Sequence, residues 1–120
     1  MLTIITWGED TLSCPAKITD FDAVYDRPEL TTHPVKYMQL AKHIINRAKA
    51  KSIAVLTLDS TFFNCLRVAI KESKYDFAYL IFIEDGNATC HQPIDSDGRL
   101  SEWTTGSPFN IYHDTMRKLL

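Results

Sequence analysis

Apolar and polar positions along this chain follow two periods, and the switching between them predicts the elements. Residues 2–7 are apolar and β-branched without interruption, as in a buried strand, and Gly8-Glu9-Asp10 is where that strand would turn. Its partner in a sheet is not evident from the pattern. Residues 13–20 read as a loop, since Pro15 cannot sit in a central strand. The apolar run 21–25 stops at Asp26-Arg27-Pro28, the way a buried strand stops at its carboxyl edge. After a loop with Thr31, Thr32 and Pro34, residues Val35, Met38, Ala41, Ile45 and Ala48 recur at helical spacing. Lys36, Lys42, Arg47 and Lys49 fall on the other side, so the spacing predicts an amphipathic helix over 35–50.

Residues 53–58 are continuously apolar enough for an interior parallel strand. Asp59 or Ser60 is placed to cap a following helix whose apolar side is Phe62, Phe63, Leu66, Ala69 and Ile70. Strand, helix, strand, helix implies right-handed crossovers. Residues 77–83 form the next strand, 84–87 a turn around Asp85-Gly86, and 88–94 a return strand. Met116, Leu119 and Leu120 suggest a short terminal helix. The expected fold is α/β: a short, mainly parallel sheet with two or three flanking helices and a C-terminal antiparallel hairpin, in a single domain over 1–120.

Composition narrows the function classes more than it selects one. With 45% hydrophobic and 23% charged residues, the chain is ordinary for one globular domain with a modest core. A net charge of -2 gives no electrostatic case for direct binding to nucleic acid, although a local basic patch stays open. Cys14, Cys65 and Cys90 are odd in number and widely spaced, which suggests neither a disulfide framework nor a zinc site and fits a reducing cytoplasm. No basic segment precedes the first apolar run and no window reaches membrane-spanning length, so neither secretion nor a membrane partner is expected.

The chemistry-bearing segments fall in a recognisable order. Val24-Tyr25-Asp26-Arg27-Pro28-Glu29 is followed by His33-Pro34, then by the strand ending Thr57-Leu58-Asp59 and by Phe62-Phe63-Asn64. The chain continues with Asp95-Ser96-Asp97-Gly98-Arg99-Leu100-Ser101-Glu102-Trp103, Gly106 and Phe109, a stretch that amphipathic patterning does not demand. This series resembles the C-terminal part of the ABC/SMC-like AAA ATPases related to the overcoming-lysogenization-defect group, which end in a D-G-R-x-x-x-W-x-x-G-F type domain of unknown function. The resemblance covers about residues 21–120 and implies the fold of the C-terminal half of an ATPase head.

It also implies a degraded machine. None of Gly8, Gly86, Gly98 and Gly106 sits in a phosphate-cradling G-x-x-x-x-G-K-(S/T) turn. Asp26 stands where the family has the magnesium-holding acid of its Walker B strand, with Glu29 just beyond. The next position, a carboxylate in hydrolysing relatives, is Arg27, a permanent cation that cannot take the attacking water's proton. Where relatives read T-H-S, this chain reads Thr57-Leu58-Asp59, so Leu58 replaces the histidine that contacts the γ-phosphate.

Several residues carry a structural reading beside the functional one. Asp26 and Asp59 lie at carboxyl edges of strands, where ligands bind open α/β sheets, yet such positions also cap the next helix or turn. Glu84 and Asp85 could extend an acidic cluster, but Asp85-Gly86 is explained as hairpin chemistry. His33 reads as a loop residue that packs or hydrogen-bonds. Trp103 and Phe109 either fold back onto the sheet or, with Arg99, present an anchor to another protein.

The leading expectation is a catalytically inactive ATPase-like module, with no cofactor and no metal. It would bind, regulate or act as decoy for a protein partner, such as a full-length ATPase of the same family or its effector, in DNA maintenance or bacterium-phage conflict. One alternative is a small magnesium-dependent nuclease or phosphohydrolase using Asp26, Asp59 and Glu84 at strand ends. Another is a subunit completing a composite ATP site in trans, with Asp26 essential and Arg27 facing phosphate.

Overall fold

In the computed structural model, which describes residues 1–8, 18–84 and 87–100 apart from the side chains of Thr89 and Cys90, the first strand of the chain is the middle of the sheet. The described strands are β1 (Leu2–Trp7), β2 (Ala23–Asp26), β3 (Ile53–Leu56), β4 (Ala78–Glu84) and β5 (Asn87–Ile94), hydrogen-bonded in the order β2-β3-β1-β4-β5. β1 pairs in parallel with β3 on one side and β4 on the other, in register Leu2 with Ile53 and Ala78. β2 extends the parallel part beyond β3, and β5 returns antiparallel on β4. The expected α/β class, mainly parallel with an antiparallel pair at its end, is the architecture observed.

The two helices, α1 (Tyr37–Ala48) and α2 (Ser60–Ser73), pack on one face of the sheet. Alternate strand residues meet them: Leu2 and Ile4 of β1, Ile53 and Val55 of β3, Ala78 and Leu80 of β4, all buried with Ile44, Phe62, Phe63 and Ile70 of the helices. The intervening residues, Ile5, Trp7, Leu56 and Ile83, form a second, smaller cluster on the opposite face. This strict alternation fixes the register, since a one-residue slip would exchange the two faces. Burial of two complete phenylalanines from one helix is a large share of a small core, each costing about 3–5 kcal/mol if truncated to alanine.

Helix α2 begins as its sequence predicts. Asp59 is its N-cap, its Oδ1 accepting from the backbone N–H of Thr61 (2.7 Å) and Phe62 (3.1 Å). The five apolar residues expected on its inner side are all buried. It ends at Lys74 in the left-handed region (φ 55°), whose N–H returns to the carbonyls of Ile70 and Lys71.

Three expectations are corrected. Residues 21–25 do not form a buried strand: β2 is the sheet's edge among the described residues, its side chains half-buried or exposed, and a short apolar run carries no signal of how many neighbours it has. Val35 does not belong to the apolar side of α1. Pro34 opens a short 3-10 helix (Pro34–Lys36), with His33 Nδ1 accepting from Val35 N–H at 3.2 Å, so Val35 is 79% exposed. The helix proper then buries Tyr37, Ala41, Ile44, Ile45 and Ala48. Phe77, expected in β4, precedes it and is exposed. The turn at Asp85-Gly86 and the terminal helix around Met116 lie outside the described residues.

Candidate functional site

The strand order singles out one place. From β1 the chain moves two positions across the sheet to β2, whereas from β3, the neighbour of β1, it moves the other way to β4. Such a reversal between adjacent parallel strands is where open α/β sheets place ligands, beyond the carboxyl ends. Here those ends supply Thr6 and Trp7 from β1, Asp26 and Arg27 from β2, and Thr57, Leu58 and Asp59 from β3. The loop from Pro28 to Tyr37 lies across β2 and β3.

Glu29 organises this edge. Its Oε2 accepts from Arg27 Nε at 2.6 Å and from the backbone N–H of Leu58 at 3.1 Å, while Oε1 accepts from the Thr57 hydroxyl at 2.8 Å. The Glu29 and Arg27 side chains are 5% and 11% exposed, so this is a nearly buried pair with its oxygens hydrogen-bonded. Thr57 Oγ1 in turn accepts from the N–H of Asp59 at 3.1 Å. The Arg27 guanidinium lies 5.9 Å from the Trp7 ring centre, tying β1 to the same network. Arg27 itself has φ 53° and ψ 55°, left-handed backbone that a non-glycine residue adopts at a cost of about 1–2 kcal/mol. The ion pair and the hydrogen bond of its N–H to Leu56 O (2.8 Å) hold it there.

Tyr37 closes the edge from above. Its hydroxyl is within reach of two acceptors, Asp59 Oδ2 at 3.3 Å and the Glu29 carbonyl at 3.4 Å, and its ring packs edge-on against Phe62. Burial, and then the Asp59 carboxylate beside it, push the Tyr37 phenol above its ordinary value. Burial and Asp59 also raise the Cys65 thiol, which is therefore a poor nucleophile at neutral pH. The hydroxyl of Thr6 is fully buried just past the last pairing of β1 with β3, and its Oγ1 has no hydrogen-bond partner among the described residues. An orphan hydroxyl of this kind costs about 1–3 kcal/mol.

Of the residues singled out in the sequence, Arg27, Glu29, Leu58 and Asp59 meet in this network, whereas the carboxylates Asp26, Asp59 and Glu84 are not gathered into one centre. Asp26 is exposed and opposite Leu56, on the side of the sheet away from the helices. Asp59 is a helix cap. Glu84 is exposed at the end of β4, three positions from β2 in the sheet, roughly 14 Å at the usual strand spacing. Among the described residues no group of three His, Cys, Asp or Glu side chains could hold a metal ion. Leu58 packs against the second apolar cluster. Thr6 and Tyr37 were not anticipated as part of this edge, whereas Thr57 stood in the Thr57-Leu58-Asp59 segment read from the sequence.

The Asp95–Arg99 stretch has a packing explanation that the sequence withheld. Asp95 Oδ1 accepts from the N–H groups of Asp97 and Arg99, each at 2.9 Å, and Gly98 N–H donates to Asp95 O at 2.8 Å. Gly98 has φ 76°, and a Cβ there would lie 2.4 Å from the carbonyl oxygen of Arg67. Arg67 Nε donates to Gly98 O at 2.7 Å, docking the turn on α2. Arg99 is exposed beside this turn; Trp103 and Phe109 lie outside the described residues.

A scan against protein-family models finds no match to this chain, and searches of curated proteins and of solved structures find none either. Among the described residues no helix is long and apolar enough to cross a membrane.

Proposed function

We propose that this chain is a non-hydrolysing, ATPase-like module that acts by binding a protein partner. One observation carries the reading: the carboxylate of Glu29, at the carboxyl end of β3 beside the reversal point of the sheet, is consumed by Arg27, Thr57 and Leu58. A carboxylate so held closes the carboxyl edge instead of orienting water or metal. The resemblance to the ATPase group, with Arg27 and Leu58 at positions of catalytic groups, points the same way. On the partner side, Leu30 and Val35 are 67% and 79% exposed on the described loop that crosses this edge, an apolar pair available to another surface. By the resemblance, that partner is a related full-length ATPase or the effector it controls.

Exposure of Asp26 at the sheet edge favours a second reading, in which this chain lends a carboxylate to a nucleotide site completed by another subunit. Arg27 would contribute only if released from Glu29. The magnesium-dependent nuclease reading gains no such support, because Asp26, Asp59 and Glu84 stand apart.

Titration calorimetry with ATP and Mg²⁺ separates these readings. The isolated chain is expected to give no binding heat. Micromolar binding that Asp26→Ala abolishes would overturn the proposal, and binding seen only after adding a related ATPase would move the second reading to first place.

A further inference from the structure

The net charge of -2 hides a segregation. From Leu30 to Leu58 the chain carries five cations, Lys36, Lys42, Arg47, Lys49 and Lys51, and no carboxylate, while the remainder holds eight cations against fifteen carboxylates. The fold gathers the basic segment on one surface. Lys36, Gln39, Lys42, His43, Asn46 and Lys49 are all exposed along and just beyond α1, whose opposite side is buried in the core. At 1.5 Å per residue, Lys36, Lys42 and Lys49 recur about every 10 Å over a stripe of about 20 Å.

We infer that this face of α1 binds the phosphate backbone of a double-stranded nucleic acid. The composition distinguishes it from a protein-docking face. Protein interfaces concentrate aromatic residues, Met and Arg at their core and are depleted in Lys, whereas this stripe contains Lys, Gln, Asn and His, with half-buried Leu40 as the large apolar side chain between Gln39 and His43. Lys, Gln and Asn are side chains that contact phosphate oxygens. Its one cationic neighbour already in use, Arg47, donates to the Tyr25 hydroxyl at the inner margin. Lys42 meets Glu72 of α2 at 3.4 Å, but both side chains are more than half exposed, so the pair is weak in water and the lysine is free to exchange partners. Because every carboxylate lies outside the Leu30 to Leu58 segment, a polyanion meets least repulsion along it.

Anisotropy titration of a labelled 20-base-pair DNA duplex with the whole chain tests this directly. Binding is expected to be independent of sequence, with Kd in the range of about 10⁻⁴ to 10⁻⁶ M and a slope of log K against log salt near about -3, as for three or four phosphate contacts. Lys36→Glu with Lys49→Glu should weaken binding at least about tenfold and flatten the slope by about 2, with thermal melting unchanged. Lys71→Glu with Lys74→Glu, off this face, should leave this slope in place. No binding at low salt, or binding that survives the Lys36 and Lys49 changes, overturns the inference. Equal affinity for labelled polyglutamate of matched charge also overturns it, in favour of an acidic protein surface. The outcome is independent of nucleotide calorimetry, which tests a different edge of the molecule.

Discussion

Glu29 and Asp95 are two carboxylates that each collect donors at the end of an edge strand, one after β2 and one after β5, and they do it over different spans of chain. Asp95 takes N–H groups two and four residues ahead and is exposed, so its turn is assembled by local chain alone. Glu29 takes a hydroxyl and an N–H from 28 and 29 residues away, with an arginine from its own turn, and is nearly buried. The first carboxylate shapes a turn that glycine and Arg67 then fasten to α2. The second joins the β2 end to the β3 end, and the main-chain carbonyl of the same residue accepts from Tyr37 at the start of α1, so Glu29 has a share in holding three elements at once.

The sharpest way to break that contrast is Glu29→Ala. It removes one partner of a nearly buried pair and leaves Arg27, Thr57 and Leu58 short of an acceptor, for an expected loss of about 3–5 kcal/mol by chemical denaturation. A loss below about 1 kcal/mol would mean that water replaces the carboxylate and that the edge is open. Gly98→Ala should be costly for a different reason. Its Cβ meets backbone, which cannot swing away, and the φ of 76° disfavours alanine, so about 2 kcal/mol is expected, confined to the β5 turn. Hydrogen exchange should then show faster opening around residues 94–100 and unchanged protection in β1 and β3.

The smallest effect is one of pH. The Tyr37 phenol is raised in the folded chain, first by burial and then by Asp59, so its contribution to stability is fully present below the ordinary phenol range and is lost as pH rises through the folded-state value. Asp59→Asn removes the second cause and should bring phenolate absorbance in at a lower pH. An unchanged titration would show that the Asp59 carboxylate has no hold on the Tyr37 phenol.

The same contrast accounts for what the sequence revealed. The Asp59 cap and the inner side of α2 were legible because both depend on residues within a turn or two of each other. The end of β2 at Asp26 was legible because a strand's stop is local as well, whereas β3 stops at Leu56, short of the expected end at 58, and Thr57 and Leu58 turn to Glu29 instead. By contrast, the place of β1 between β3 and β4 depends on pairings with residues 53–56 and 78–83, which no window of sequence contains. Val35 was misplaced because helical spacing alone ignores what Pro34 does to the turn it starts. Glu29 stood in the motif read for its resemblance to a nucleotide site, but its partners could be found only in three dimensions.

The central position of β1 has a consequence for how the protein is made. This uncharged, β-rich segment leaves the ribosome well before the strands on either side of it, and at about 5–20 residues per second several seconds pass before β4 follows. Until β3 follows, Leu-Thr-Ile-Ile-Thr-Trp has both edges bare, and one edge stays bare until β4 does; the segment matches the composition of those that self-associate into cross-β stacks. Yield in a host should therefore respond to temperature and translation speed more than the stability of the finished fold would suggest.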